Sequence, residues 1–398
     1  MITFKKACNL IKKNVLKTKI EEIVDIESSY LRVISKDYIS NHDLPFTNLS
    51  AMDGLVVNEK DLEKYKKFKI IGESKSGDSF CESFKGNKCK LIYTGAPVPK
   101  CSKRVIPKEN CNIKINENTA EIKEISSEKF IRQKGWDIKK NQKFLKSGSI
   151  MNIRNISLAK SLKLKKVKVL KKPRIHIIST GDELVKKNNP LIEPSNHLMI
   201  KLLAKKFGGE VVVTEIVSDD ESKFTNKILK LKNYDLIITS GGISVGKYDI
   251  VRKTLKNLGC EVIFNKIALK PGKPATFGKF KNNKFILSLP GNPVSCFISM
   301  LNFFPIYIKC FLGKELSILN KGFYKSRKFI KKSGHLTTFQ RVICKGESFE
   351  VFDNQDSSYQ SILTKSSGLI YRPPYSKEIR KNEVVEIITF NSVTEYNI

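Results

Sequence analysis

At 398 residues, 40% hydrophobic and 28% charged, the chain is long enough for several domains and too apolar for a disordered or fibrous protein. Its formal charge of +34 comes from lysines in every segment, beside abundant Asn and Ile. That is a generally basic surface that would draw anionic substrates, with no concentrated stripe for nucleic acid. Nine scattered cysteines without a Cys-x-x-Cys pair, and four unclustered histidines, argue against a zinc centre or a Ser-His triad and for reduced thiols in the cytoplasm.

In chain order, "MITFKKACNLIKKNVLKTKI" predicts an amphipathic helix with Phe4, Cys8, Ile11 and Val15 on one face. It lacks the continuous apolar core of a signal peptide. Residues 43–137 hold short strand-like runs ("GLVV", "KIIGES", "CKLIYTG", "RVIP") broken by Gly, Pro and Asn, which predicts a small β-rich domain. "ISLAKSLKLKKVKVLKK" predicts a helix and strand that lead onward. From Pro173 the texture alternates. The strands "RIHIIST", "EVVVTEIV", "YDLIITS" and "KFILSL" are separated or followed by helical stretches, which implies right-handed βαβ units and a parallel sheet covered on both faces. The very apolar "VSCFISMLNFFPIYIKCFLG" is interrupted by Asn302, Pro305 and Lys309, so it reads as a buried helix and not a membrane span. After residue 320, "QRVICKGESFEVF" and "EVVEIITF" predict a C-terminal β-barrel or sandwich. The expected class is therefore α/β and β multidomain. Its parts are a discontinuous N-terminal and linker domain (1–42 with 138–172), a β-rich domain (43–137), a parallel α/β domain (173–319) and a C-terminal β domain (320–398).

Ligands of such sheets bind at the carboxyl ends of the strands. The loops there carry Asp182 and Glu183, Asp219 and Asp220, Gly241 and Gly242, and Pro290-Gly291-Asn292-Pro293. "TSGGISVGKYD" fits the phosphate-loop pattern G-x-x-x-x-G-K until Tyr248, where Ser or Thr should hold Mg²⁺, so a nucleotide-triphosphate loop is not expected. Gly241, Gly242 and Gly246 still suit an anion site, and the helix starting near Asp249 adds its dipole; Asp249 also suits a plain N-cap. "IALKPGKP" sets Lys270 and Lys273 either side of Pro-Gly, with Lys266 four residues before Lys270, a spacing suited to phosphate or another oxyanion. Carboxylates beside lysines are what Mg²⁺ bridging to phosphate requires, although each also suits a solvated turn. "LPFTNLSAMDGLVV" (Asp53), "LIYTGAPVP" (Thr94) and "IRQKGWD" (Arg132 and Asp137, with the only tryptophan) each read singly as a turn.

Together, "PFTNLSAMDGLVV", "IYTGAPVP", "IRQKGWDI", "ISTGDELV", "SDDES", "TSGGISVGKYD", "KIALKPGKPATFG" and "LPGNPVS" resemble the MoeA family, the molybdopterin molybdenumtransferases, in order and spacing. The resemblance covers nearly the whole chain and is weakest after residue 320. It implies an elongated homodimer of four-part subunits, with the α/β domain of the molybdopterin adenylyltransferases at 173–319. It also implies insertion of molybdate into adenylylated molybdopterin with release of AMP, assisted by Mg²⁺, in a cleft between the α/β domain of one subunit and the β domain of the other. Asp53, Glu183, Asp249, Lys270 and Lys273 would carry the chemistry. Thr94, Arg132, Asp137, Ser179, Thr180, Gly181, Gly241, Gly242, Ser244, Lys266, Pro290, Asn292 and Pro293 would contact substrate. Glu183, Asp219, Asp220 and Asp249 would hold the metal.

Molybdopterin adenylyltransferase and molybdoenzyme acceptors are the implied partners in a cytoplasmic setting, without nucleic acid or membrane. Trp136 replaces an acidic residue, Pro194 an aspartate, and "QDS" (355–357) a Gln-Gly-Ser motif, which puts the C-terminal contribution in question. The competing readings are an adenylyltransferase, which would need only the central domain, and a non-catalytic carrier or scaffold.

Overall fold

Three apolar runs, Arg174–Thr180, Leu236–Ser240 and Phe285–Leu289, are buried along almost their whole length, as strands covered on both faces must be. They pair in parallel with Ile177, Ile238 and Leu287 in one row. The computed structural model in which they lie describes residues 1–182, 195–243, 250–313 and 319–390. Two compact units make up the chain: Met1–Glu21 with Leu170–Ile398, and Glu22–Val169.

In the first unit the central sheet runs in the order Glu210–Val217, Arg174–Thr180, Leu236–Ser240, Phe285–Leu289, Thr276–Lys279, Glu261–Phe264. Thr276–Lys279 runs antiparallel to both of its neighbours, Phe285–Leu289 and Glu261–Phe264, an edge that the alternating pattern does not announce. Asn282 and Asn283, with φ of 61° and 55°, turn the chain between Thr276–Lys279 and Phe285–Leu289, two successive left-handed residues as a tight hairpin turn requires. Phe224 and Ile228 from helix Glu221–Lys230, and Val251 and Leu255 from helix Ile250–Asn257, pack with Ile178 and Ile237.

Helix Pro293–Leu312 begins with Pro at its first position, where no amide hydrogen bond is lost, and ends at Gly313 with φ of 62°. It is long and apolar enough to cross a membrane, yet 72% of its apolar window is buried inside the protein. The N-terminal helix Phe4–Asn14 buries Ala7 and Ile11 and sets Phe4 against Phe303 of this long helix, with ring centroids 5.9 Å apart. Residues 1–21 therefore belong to this unit, whereas the sequence reading groups them with 138–172.

A second sheet joins Ile2–Thr3, Ile267–Lys270 and the C-terminal strands Thr337–Lys345, Ser348–Val351, Asn320–Ser326, Val384–Thr389 and Gly368–Arg372. Gly368–Arg372 pairs back onto Thr337–Lys345, which closes the C-terminal strands into a barrel-like ring. Strand Ile267–Lys270 leaves the α/β segment to join this sheet.

The second unit centres on a mixed six-stranded sheet in the order Val105–Pro107, Gly54–Val57, Lys88–Ile92, Lys67–Ser74, Thr119–Ile122, Cys111–Lys114. Leu55, Val57, Phe68, Cys89 and Ile106 form its core. A separate cluster of Ile26, Ile34, Leu145, Met151 and Val167 packs with Ala159 of helix Ile153–Ser161.

Candidate functional site

Where the parallel strands end, a cavity of about 1120 Å³ opens in the first unit. Its floor is made of hydroxyls. Ser179 and Ser240, from adjacent strands, share a hydrogen bond of 2.8 Å. Thr180 is 4% exposed, and its Oγ1 has no partner among the described residues. A buried hydroxyl left unpaired costs about 1–3 kcal/mol, so a polar ligand atom would be favoured there.

Gly241 and Gly242 cross the end of the Thr180 strand with φ of 85° and 60°. A Cβ on either residue would run into Thr180, so no side chain is tolerated at that approach. The Gly241 N–H donates to the Leu289 carbonyl at 3.3 Å, so this amide serves the sheet and not a bound anion.

Lys270 and Lys273 form a second wall. Their loop is pinned by Ile267 N donating to Lys273 O at 2.8 Å, and by Gly272, whose φ of 117° leaves no room for a Cβ beside Ser299 Oγ. Lys266 does not line the cavity. It sits at the other end of the strand from Lys270, about 13 Å away at the usual rise per residue.

The third wall is Pro290-Gly291-Asn292-Pro293 with the first turn of the long helix. The Asn292 side chain does not cap that helix and instead donates to Ser357 Oγ at 3.0 Å. The helix N-terminus, with Ser295 on the lining, thus contributes its positive end to the cavity.

The fourth wall is Gln355 to Gln360; the sequence marks 355–357 only as an altered motif and does not announce the stretch as a wall of this cavity. Arg341, 1% exposed, holds it: its Nη1 donates to Tyr359 O at 3.0 Å and its Nη2 to Asp356 O at 2.8 Å. Gln355 returns the contact by accepting from Arg341 N at 2.9 Å and donating to Arg341 O at 3.1 Å. Asp356 lines the cavity, and its carboxyl is held below its usual pKa range, first by hydrogen bonds from Ser358 and then by the charges of Arg341 and Lys270. An arginine fourteen residues before its loop has no short-range signature. His197 also lines the cavity, on a helix whose preceding residues 183–194 lie outside the described ones.

Gly181, Gly242, Asp219 and Asp220 stand at the same strand ends without lining the cavity. Asp182 Oδ1 accepts from Asp219 N at 3.0 Å, and Asp220 caps the next helix by accepting from Lys223 N at 2.8 Å. Among the described residues no three His, Cys, Asp or Glu side chains gather into a metal cage. Mg²⁺ commonly takes one or two carboxylates and fills its shell with water and substrate phosphate oxygens; of the Asp219–Asp220 pair, Asp220 already spends one carboxylate oxygen on the helix cap. Glu183, Ser244 and Asp249, with Gly246, Tyr248 and Pro194, lie outside the described residues.

In the second unit, Asp53 Oδ1 accepts from both N and Oγ1 of Thr94, at 2.7 and 2.9 Å. These two bonds hold the carboxyl below its usual pKa range. Arg132 is exposed on a short strand paired with Leu49–Ser50, and Asp137 is exposed on the turn after Trp136, whose indole is 73% exposed.

Residues 2–162 match the family described as "MoeA N-terminal region (domain I and II)", and residues 176–309 the "Probable molybdopterin binding domain". The molybdopterin molybdenumtransferase of Haemophilus influenzae is 35% identical over 285 residues, 70% of each chain. That of Staphylococcus aureus strain Mu50 is 29% identical over 296 residues, 72% of this chain and 69% of its own. The crystal structure of a molybdopterin biosynthesis moeA protein from Pyrococcus horikoshii OT3 shares the fold, with a TM-score of 0.79 at 23% identity over 98% of this chain and 100% of that one.

Proposed function

The chain belongs to the molybdopterin molybdenumtransferase family, and from that premise we propose that it inserts molybdate into adenylylated molybdopterin and releases AMP, a late step of molybdenum cofactor synthesis. The observation that carries this reading is the cavity at the carboxyl edge of the sheet, with a hydroxyl floor, two lysines and a helix N-terminus. Incoming molybdate and departing AMP are both anions. A site that stabilises their charge needs fixed cations and donors, and no protein nucleophile. Lys270 and Lys273 supply the cations, while Thr180 Oγ1 and Ser295 offer donors.

Mg²⁺ belongs to the proposal as an ion held by Asp219 and Asp220 with Glu183 and Asp249, where it would neutralise phosphate charge. Asp53, Thr94, Arg132 and Asp137 are proposed as further substrate contacts. The proposed setting is a cytoplasmic homodimer served by a molybdopterin adenylyltransferase and delivering to molybdoenzymes. The test is to incubate the protein with adenylylated molybdopterin, Mg²⁺ and molybdate and to follow AMP and metal-loaded cofactor. Molybdate-dependent formation of both supports the reading. Tight binding of the adenylylated pterin without turnover would replace it with a carrier.

A further inference from the structure

The cavity read above as an oxyanion site carries a negative charge of its own. Its Lys, Arg, Asp and Glu lining residues among those described are Lys270, Lys273 and Asp356, two cations against one carboxylate. Asp356 is exposed but not free to turn away. Its Oδ1 accepts from Ser358 N at 2.8 Å and from Ser358 Oγ at 2.6 Å, while its own N donates to Asn354 Oδ1 at 2.8 Å. The loop beneath is anchored by Arg341 and tied to two other parts of the lining, through Asn292 to Ser357 at 3.0 Å and Gln360 to Ser195 at 3.2 Å. A mobile surface carboxylate would relax away from a bound anion, whereas this one stays in the field of Lys270.

We propose that Asp356 is a specificity-determining residue, a fixed counter-charge to Lys270 that holds down the cavity's affinity for small free oxyanions. The inference rests on the oxyanion reading of the cavity. A free phosphate or molybdate gains nearly all its binding from charge, so a carboxylate on the wall weakens it most. A larger anionic substrate spreads its contacts over the hydroxyl floor and the helix N-terminus and loses proportionately less. In a chain of formal charge +34, which attracts small anions everywhere, that difference keeps the cavity open for its substrate.

The test is calorimetric titration of the full chain with inorganic phosphate and with molybdate, at low and high salt. Wild type is compared with Asp356→Asn, Lys270→Ala and the double variant. Asn keeps a carbonyl oxygen for Ser358, so the loop stays anchored. Asp356→Asn is expected to tighten both anions by about two- to five-fold, the range of an exposed charge pair. The gain should shrink as salt rises and disappear in the Lys270→Ala background. Unchanged or weaker binding in Asp356→Asn, with Lys270→Ala still weakening it, overturns the role of Asp356 and leaves the oxyanion reading standing. A gain that persists undiminished without Lys270 overturns the pairing. Wild-type protein that binds neither anion overturns the oxyanion reading and this inference together.

Discussion

Asp53 and Thr94, forty-one residues apart, are joined by two hydrogen bonds to a single carboxylate oxygen, one from the backbone and one from the hydroxyl. Because the folded state favours the ionised carboxylate, its contribution is complete above the unfolded pKa and is lost as pH falls through the lowered folded value. Thr94→Val removes only the hydroxyl bond. The Asp53 pKa is expected to rise while remaining below its unfolded value, as followed by carbon-13 carboxyl titration. A pKa unchanged in the variant would show that the hydroxyl bond does not form.

Gly242→Ala tests the close approach over Thr180. A left-handed alanine costs about 1–2 kcal/mol, and the overlap with Thr180 and Val251 adds to it. Urea unfolding is expected to show a loss of about 2–4 kcal/mol, the scale for a strained, overpacked position, with phosphate binding reduced as the floor shifts. A loss below about 0.5 kcal/mol would contradict the close approach of Gly242 to Thr180.

Arg341 supports the cavity without lining it. Lys at this position carries the charge but cannot fork between the Asp356 and Tyr359 carbonyls. Arg341→Lys is expected to destabilise the chain by about 2–3 kcal/mol and to raise the dissociation constant for molybdate. Stability lost with anion binding unchanged would show that the loop is no part of the site.

His176 is 4% exposed, and neither ring nitrogen has a partner among the described residues. Burial lowers its pKa; the nearby Glu215 opposes the shift, and Arg174 and Lys227 add to it. The unfolded chain binds this proton near pH 6.5 and the folded chain only at lower pH, so stability falls as pH drops below about 6.5. His176→Leu should flatten that decline between pH 7.5 and 5.5 in urea midpoints. An equal decline in both proteins would assign the acid sensitivity elsewhere.

The parallel core was legible because strands buried on both faces must be continuous apolar runs, as in "RIHIIST" and "LIITS", with helical spacing between them. The antiparallel edge was less so, since Thr276–Lys279 is short and its one clear signal is the Asn282-Asn283 turn. Lysine spacing suggested Lys270 and Lys273 together, but it also grouped Lys266 with them, because a sequence does not say that the intervening residues are fully extended. The wall from Gln355 to Gln360 depends on a buried arginine in another strand, and such long-range bonds leave no local pattern. Of the acidic residues expected at the strand ends, Glu183 and Asp249 lie outside the described residues, and Asp219 and Asp220 stand beside the cavity without lining it.

The most direct test of the account is the rate of AMP release from adenylylated molybdopterin, with Mg²⁺ and with or without molybdate, in wild type, Lys270→Ala and Lys273→Ala. Molybdate-dependent release in wild type that falls about a hundred-fold or more in each variant is the predicted result, the scale expected when a fixed charge-stabilising group is removed. Release that is unaltered in both variants, or independent of molybdate in wild type, would contradict it.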